Sequence, residues 1–179
     1  MLFRSIKVVF ELGLATLSGE ASKASTTLDV VLWSDTPHAS WTLLDQIERS
    51  LWDGAQFHWN PQLAALEILP IRDDPQGRGQ LEFAEHISDE QNWHDAWTVG
   101  LRQDPDTRRL QLFFNLKDNS DFQEHETCVG RVLGGFDALQ TALRSANARE
   151  TNDGSLPSIS VHKAVAKHLT RREIAMASK

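Results

Sequence analysis

Apolar residues in this chain fall into short runs divided by polar, turn-forming stretches, a spacing that predicts more strands than helices. Lys7-Val8-Val9-Phe10-Glu11-Leu12 and Leu28-Asp29-Val30-Val31-Leu32-Trp33 read as two strands, joined by a Ser- and Thr-rich loop from Ser18 to Thr27. Ser34-Asp35-Thr36-Pro37 then opens a helix, with Thr36 at the cap and Pro37 in the first turn, where its missing N–H costs nothing. Trp41, Leu44, Ile47 and Leu51 recur at helical spacing behind it, and the stripe ends near Trp52-Asp53-Gly54.

Further strands are expected at Gln56-Phe57-His58-Trp59 and Leu66-Glu67-Ile68-Leu69, around a bend at Pro61. Trp97 to Leu101 and Leu110 to Asn115 are strand candidates with the turn-rich Asp104-Pro105-Asp106-Thr107 between them, and Thr127 to Leu133 is another. A second helix is expected after Gly134-Gly135, burying Phe136, Leu139 and Leu143; Ile159-Ser160-Val161 closes the strands. Val161, Ala164, Ala166 and Leu169 suggest a thin helical stripe in a basic tail. The organisation is thus one mainly β domain over residues 7–162, a barrel plugged by helices, followed by a helical tail over 163–179.

Composition narrows the classes. A net charge of −7 argues against a general nucleic-acid binder, which needs a basic face to neutralise phosphates. Cys128 is the single cysteine, so no internal disulfide forms and no oxidising compartment is required. No run approaches the roughly 18 apolar residues that span a bilayer, so a soluble, intracellular protein is the expectation and a membrane partner is not. Met1 to Lys7 followed by Val8 to Leu17 has the outline of a secretion signal, but Glu11 interrupts its apolar stretch, and a first strand fits better.

Three stretches, in order and at matching distances, resemble the cyclophilins. Trp52-Asp53-Gly54-Ala55-Gln56-Phe57-His58 is similar to that family's turn-and-strand run of aromatic, Asp, Gly, two variable residues, Phe and His. Leu112-Phe113-Phe114 resembles its Gln-Phe-Phe strand, and Val129-Gly130-Arg131-Val132-Leu133-Gly134-Gly135-Phe136-Asp137 its Phe-Gly-x-Val-x-x-Gly-Met-Asp. The resemblance runs from about residue 8 to 161, with an insertion-like region near 73–96. It implies a closed eight-stranded antiparallel barrel capped by two α-helices, no cofactor, and cis–trans isomerisation of X-Pro bonds in a protein or peptide partner.

That chemistry needs a donor aimed at the prolyl nitrogen, which gains a lone pair when amide resonance breaks in the twisted state. In the family the donor is an arginine directly after Phe-His; here the position is Trp59, whose indole has one neutral N–H. Counting from Phe57-His58, the proline-pocket floor falls on Ala64 and Ala65, and the family's glutamine on Glu67. Leu112 replaces the Gln of Gln-Phe-Phe, the rim tryptophan falls near Ser120 or Asp121, and the histidine near Glu126. The expected groove is therefore Phe57, His58, Trp59, Ala64, Glu67, Leu112 and Phe114, with Phe114 as the retained wall and no residue clearly catalytic. Arg72 and Arg102 are the other cations that could reach it.

Other features carry less. Glu85-His86, Glu90 and His94-Asp95 lack the convergent spacing of a metal site, so no metal is expected. Gly-x-Ser-x-Gly is absent, and Cys128 has the apolar neighbours of a core residue. Trp33, Trp41 and Trp52 are expected to face the barrel, and the tail's Lys163, Lys167, His168, Arg171 and Arg172 to be solvated. Three readings stay open: a binding or scaffold module with a degenerate isomerase site that takes proline-containing or, through Glu67 and Glu126, basic segments; a weak isomerase acting in protein folding; and an assembly component that uses the barrel surface.

Overall fold

The computed structural model describes residues 6–14, 26–71, 85, 94–104, 109–119, 126–137, 139–140 and 159–169. In chain order they form β1 (Ile6–Leu14), β2 (Thr26–Leu32), α1 (Pro37–Glu48), β3 (Phe57–Asn60), β4 (Ala65–Ile68), β5 (Thr98–Gln103), β6 (Leu110–Asn115), β7 (Thr127–Gly134) and β8 (Ile159–His168). The strands make one sheet in the order β3-β4-β6-β5-β7-β2-β1-β8, every neighbour antiparallel. Val8, Phe10 and Leu12 of β1, Leu28 and Val30 of β2, and Leu66, Leu101, Leu112, Phe114 and Val129 fill its concave side, all 1% exposed or less.

The barrel is curled but not closed, which corrects the expectation. β3 and β8 meet at a single bridge, Gln56 to Ser160, flanked by Gly54 N–H to Val161 O at 2.6 Å and Val161 N–H to Ala55 O at 2.7 Å. The reason is length: β3 has four residues, all committed to β4, and the chain before it is turn.

α1 plugs one end. Ala39, Thr42, Leu43, Gln46 and Ile47 face inward, so the buried stripe is rotated away from the expected one and Trp41 stands 56% exposed. Trp52 is fully buried, as expected, while Trp33 is half-buried. The helix ends at Glu48, earlier than the pattern implied, and Ser50 follows in the left-handed region at φ 55°. Thr36 occupies the cap position without capping: the first-turn N–H groups of His38 and Ala39 donate instead to Glu85, at 3.1 and 2.7 Å. A carboxylate satisfies those orphan donors and complements the helix dipole, doing the cap's job from 46 residues away.

Of the expected pair of capping helices, α1 is the one described in full. After Gly135, in the left-handed region at φ 92°, the chain is helical at 136–137 and 139–140, and Leu139 is buried; Leu143 lies outside the described residues. The helical tail is corrected over 163–168, which continue β8 against β1 as far as His168 opposite Ile6. The deceptive three-residue step from Val161 to Ala164 is a β-bulge: Leu12 faces Val161 and Glu11 faces Lys163, leaving His162 as the extra residue. Residues 170–179 lie outside the described residues; among the described residues no helix is long and apolar enough to cross a membrane.

Candidate functional site

Side chains directly opposite one another in antiparallel strands share a face, so register decides what β4, β6 and β5 present to each side. Leu66, Phe114 and Val99 form one cross-strand row and Ile68, Leu112 and Leu101 another. Both rows point into the core, where the Phe114 ring meets Phe10 edge-on at 6.0 Å and Phe57 at 5.5 Å. The alternate rows, Glu67–Phe113–Gly100 and Gln111–Arg102, therefore face outward.

On that outer face Phe113 is the floor. Its ring lies over Gly100, where any Cβ would overlap it, and the His94 ring stacks on it at 5.3 Å and 33°. The Arg102 guanidinium stands over the same ring, 5.4 Å from its centroid, a cation–π placement. Arg102 Nε donates to Gln111 Oε1 at 2.6 Å and Nη2 to Glu67 Oε1 at 2.8 Å, while Nη1 lies 3.7 Å from Glu126 Oε1. Glu67 is saturated: Oε1 also accepts from Asn60 Nδ2 at 2.9 Å, and Oε2 accepts from Gln111 Nε2 at 3.1 Å.

Glu126 is less well served. Its Oε2 is buried and has no hydrogen-bond partner among the described residues. Burial pushes its carboxyl above the usual range; Arg102 opposes that shift and the Glu67 charge adds to it. The arrangement can do two things: offer a cation fixed over a buried aromatic ring, and hold a surplus carboxylate beside it.

A buried polar network backs the floor. Asn115 Nδ2 donates to Thr98 Oγ1 at 3.0 Å and lies 3.3 Å from His94 Nδ1, while His94 Nε2 contacts the Glu126 carbonyl at 3.0 Å. A donor at Nδ1 and a carbonyl at Nε2 select the neutral tautomer with its proton on Nε2. Asn119 Nδ2 ties Asn115 Oδ1 at 2.9 Å to the Leu63 carbonyl at 2.6 Å, and Asn119 N–H donates to the His94 carbonyl at 2.9 Å.

The groove expected from the sequence is split between the two faces. His58, opposite Glu67, lies outward with it, and Glu126 joins Glu67 around Arg102. Phe57, Leu112 and Phe114 are core residues, and Trp59, opposite Leu66, packs against the core from the inner side. Ala64 is half-buried in the β3–β4 turn at φ 45°, and Ala65 is buried. Arg72, Ser120 and Asp121 lie outside the described residues.

The physical reason is a one-residue slip in β6. Gln111-Leu112-Phe113, one step earlier than the run read from the sequence, puts an amide and an aromatic ring on the outer face. The outward amide of β6 is therefore that of Gln111, and both its polar atoms are engaged by Arg102 and Glu67. Of the candidate metal residues, His94 is buried in the network above and His86 and Glu90 lie outside the described residues; among these no group of three or more ligating side chains could hold a metal ion. Cys128 is buried, and burial pushes its thiol up to about 12.

Comparison with known proteins agrees with this architecture. A sequence model of the cyclophilin-type peptidyl-prolyl cis-trans isomerases matches residues 20–165. No curated protein matches significantly. Among solved structures, Mimivirus cyclophilin superposes with a TM-score of 0.66 at 14% identity, covering 94% of this chain and 92% of its own. A Cryptosporidium parvum cyclophilin-type isomerase gives 0.61 at 16%, covering 90% of this chain and 99% of its own. Its structure in the presence of the dipeptide Ala-Pro gives 0.60 at 17%, covering 88% and 98%. At such identities the likeness is one of fold.

Proposed function

Because the chain belongs to the cyclophilin-type peptidyl-prolyl cis-trans isomerase family, we propose that the outer face of β4, β6 and β5 binds proline-containing peptide segments and slowly isomerises their X-Pro bonds, with Arg102 as the donor. The observation that carries this reading is the guanidinium held over Phe113. It supplies the cation that the residue after Phe57-His58 lacks.

The uncatalysed barrier is about 20 kcal/mol, set by amide resonance. Phe113 is itself fully buried beneath the guanidinium and the His94 ring, so a proline ring would seat beside Arg102 and present its nitrogen toward the guanidinium. A donor there stabilises the pyramidal nitrogen more than the planar one, which is what lowers the barrier. Nε and Nη2 are engaged by Gln111 and Glu67 and Nη1 faces Glu126 at 3.7 Å, so Nη1, the most loosely held, is the nitrogen offered to the peptide. The same neighbours weaken the effect: one cation between two carboxylates has little field left to offer, so turnover is slow. That neutralisation also favours a second reading, binding without catalysis, in which the fold serves as a recognition module.

A protease-coupled assay on a proline tetrapeptide separates the two. Expected is a wild-type rate above background that Arg102→Ala returns to background, with circular dichroism showing the variant folded. A wild-type rate at background, with the peptide still bound, leaves the recognition module; an unchanged rate in Arg102→Ala removes Arg102 as the donor.

A further inference from the structure

The peptides this site takes follow from its charge balance. Arg102 contributes one positive charge, Glu67 and Glu126 one negative charge each, all on the outer face. The two carboxylates are not equivalent. Glu67 accepts three hydrogen bonds, from Arg102, Asn60 and Gln111, and its charge is matched by the guanidinium it grips at 2.8 Å. Glu126 stands 3.7 Å from a guanidinium already claimed by Glu67, and its Oε2 has no partner among the described residues. That oxygen is itself buried, so the 25% of the side chain that is exposed belongs to its other atoms, and a ligand meets the carboxylate's charge from there. His94, the other titratable group of the site, turns its ring nitrogens to Asn115 and to the Glu126 backbone, and so does not satisfy the carboxylate.

A partly exposed carboxylate whose ionic contact is long leaves negative charge that a ligand's cation can offset. We propose that Glu126 selects peptides carrying Lys or Arg beside the proline, the added cation completing the pair that Glu67 leaves unfinished. The inference rests on the proline-binding reading above and adds the substrate class to it. An acidic neighbour would meet Glu67 and Glu126 with like charge, so discrimination against Asp and Glu is part of the same device.

The test uses the full chain and three fluorescein-labelled peptides that differ only around the proline: Lys-Pro-Lys, Ala-Pro-Ala and Glu-Pro-Glu. In anisotropy titrations at low salt the Lys peptide should bind about 10-fold more tightly than the Ala peptide, and the Glu peptide most weakly. Glu126→Gln, which keeps the shape, should shrink the Lys-to-Ala ratio to about 2-fold or less. Equal binding of the Lys and Ala peptides by the wild type overturns this inference and leaves the proline reading standing. A Lys preference that survives Glu126→Gln removes Glu126 as its source. No binding of any of the three overturns the proline reading and this inference with it.

Discussion

The two faces of β4, β6 and β5 are built from alternate residues of the same short strands and have opposite characters. Inward, Leu66, Phe114, Val99, Ile68, Leu112 and Leu101 make a dry layer in which each side chain is 1% exposed or less. Outward, a single step along each strand, Glu67, Gln111 and Arg102 make a charged, hydrogen-bonded layer over the buried Phe113 ring. Because the side-chain period of a strand is two, a slip of one residue exchanges these surfaces completely. Function in this chain is therefore a matter of parity, and conclusions drawn from neighbouring residues reverse with it.

The largest expected effect comes from the inner face. Phe114→Ala leaves a cavity between Phe10 and Phe57 and should cost about 3–5 kcal/mol in urea unfolding, a loss of fold with no selective effect on peptide binding. A stable variant that had merely lost its ligand would place Phe114 on the outer face after all. Next is Trp59→Arg, the change that would restore the family's arginine after Phe-His. It puts a cation opposite Leu66 against the core, so it should lower stability by about 2 kcal/mol and add no isomerase rate. A rise in rate would reverse the assignment of Trp59.

Gly100→Ala sharpens the comparison from the outer side. Its Cβ overlaps the Phe113 ring, so the ring must move; a cost of about 1–2 kcal/mol should accompany weakened peptide binding. Full binding with full stability would show that Phe113 is not the floor.

The smallest effect is a pH dependence. The Glu126 carboxyl titrates higher in the folded chain than its ordinary value of 4.5, so the fold favours its neutral form. Its contribution to stability is fully present below pH 4.5 and is lost as pH rises through the raised value. Glu126→Gln, locked neutral, should melt on the order of 1 °C above the wild type at pH 7, the gap closing at low pH. A gap that widens toward acid would reverse the sign of the argument.

Much of the fold was legible in the sequence, and the site only in fragments. Strands announced themselves at Lys7–Leu12 and Leu28–Trp33 because polar Lys7, Glu11 and Asp29 punctuate the apolar residues. β6 offers no such punctuation: all six residues from Leu110 to Asn115 are buried, Gln111 and Asn115 included. A continuous buried run carries no phase, so the faces of Phe113 and Phe114 were open to exchange. Arg102 gave one faint signal, a guanidinium set in an otherwise buried strand beside Leu101. Glu67 and Glu126, by contrast, were found by counting from the family's motifs, and the fold brings both to the same guanidinium. The bulge at His162 hid β8 for a similar reason, since one inserted residue turns a two-residue period into a three-residue step that mimics a helix.

The unclosed edge between β3 and β8 has a consequence for how the molecule breathes. Elsewhere each strand is zipped to its neighbour by a ladder, but here the Gly54–Gln56 segment and Val161 share a three-residue clasp. The amides of Gly54 and Val161 should be among the earliest strand-associated protons to trade for deuterium, ahead of those in β5 and β6 at the sheet's centre. The shell thus has a hinge line built into its wall, and it lies on the opposite margin of β3 from β4 and β6, where the peptide surface begins.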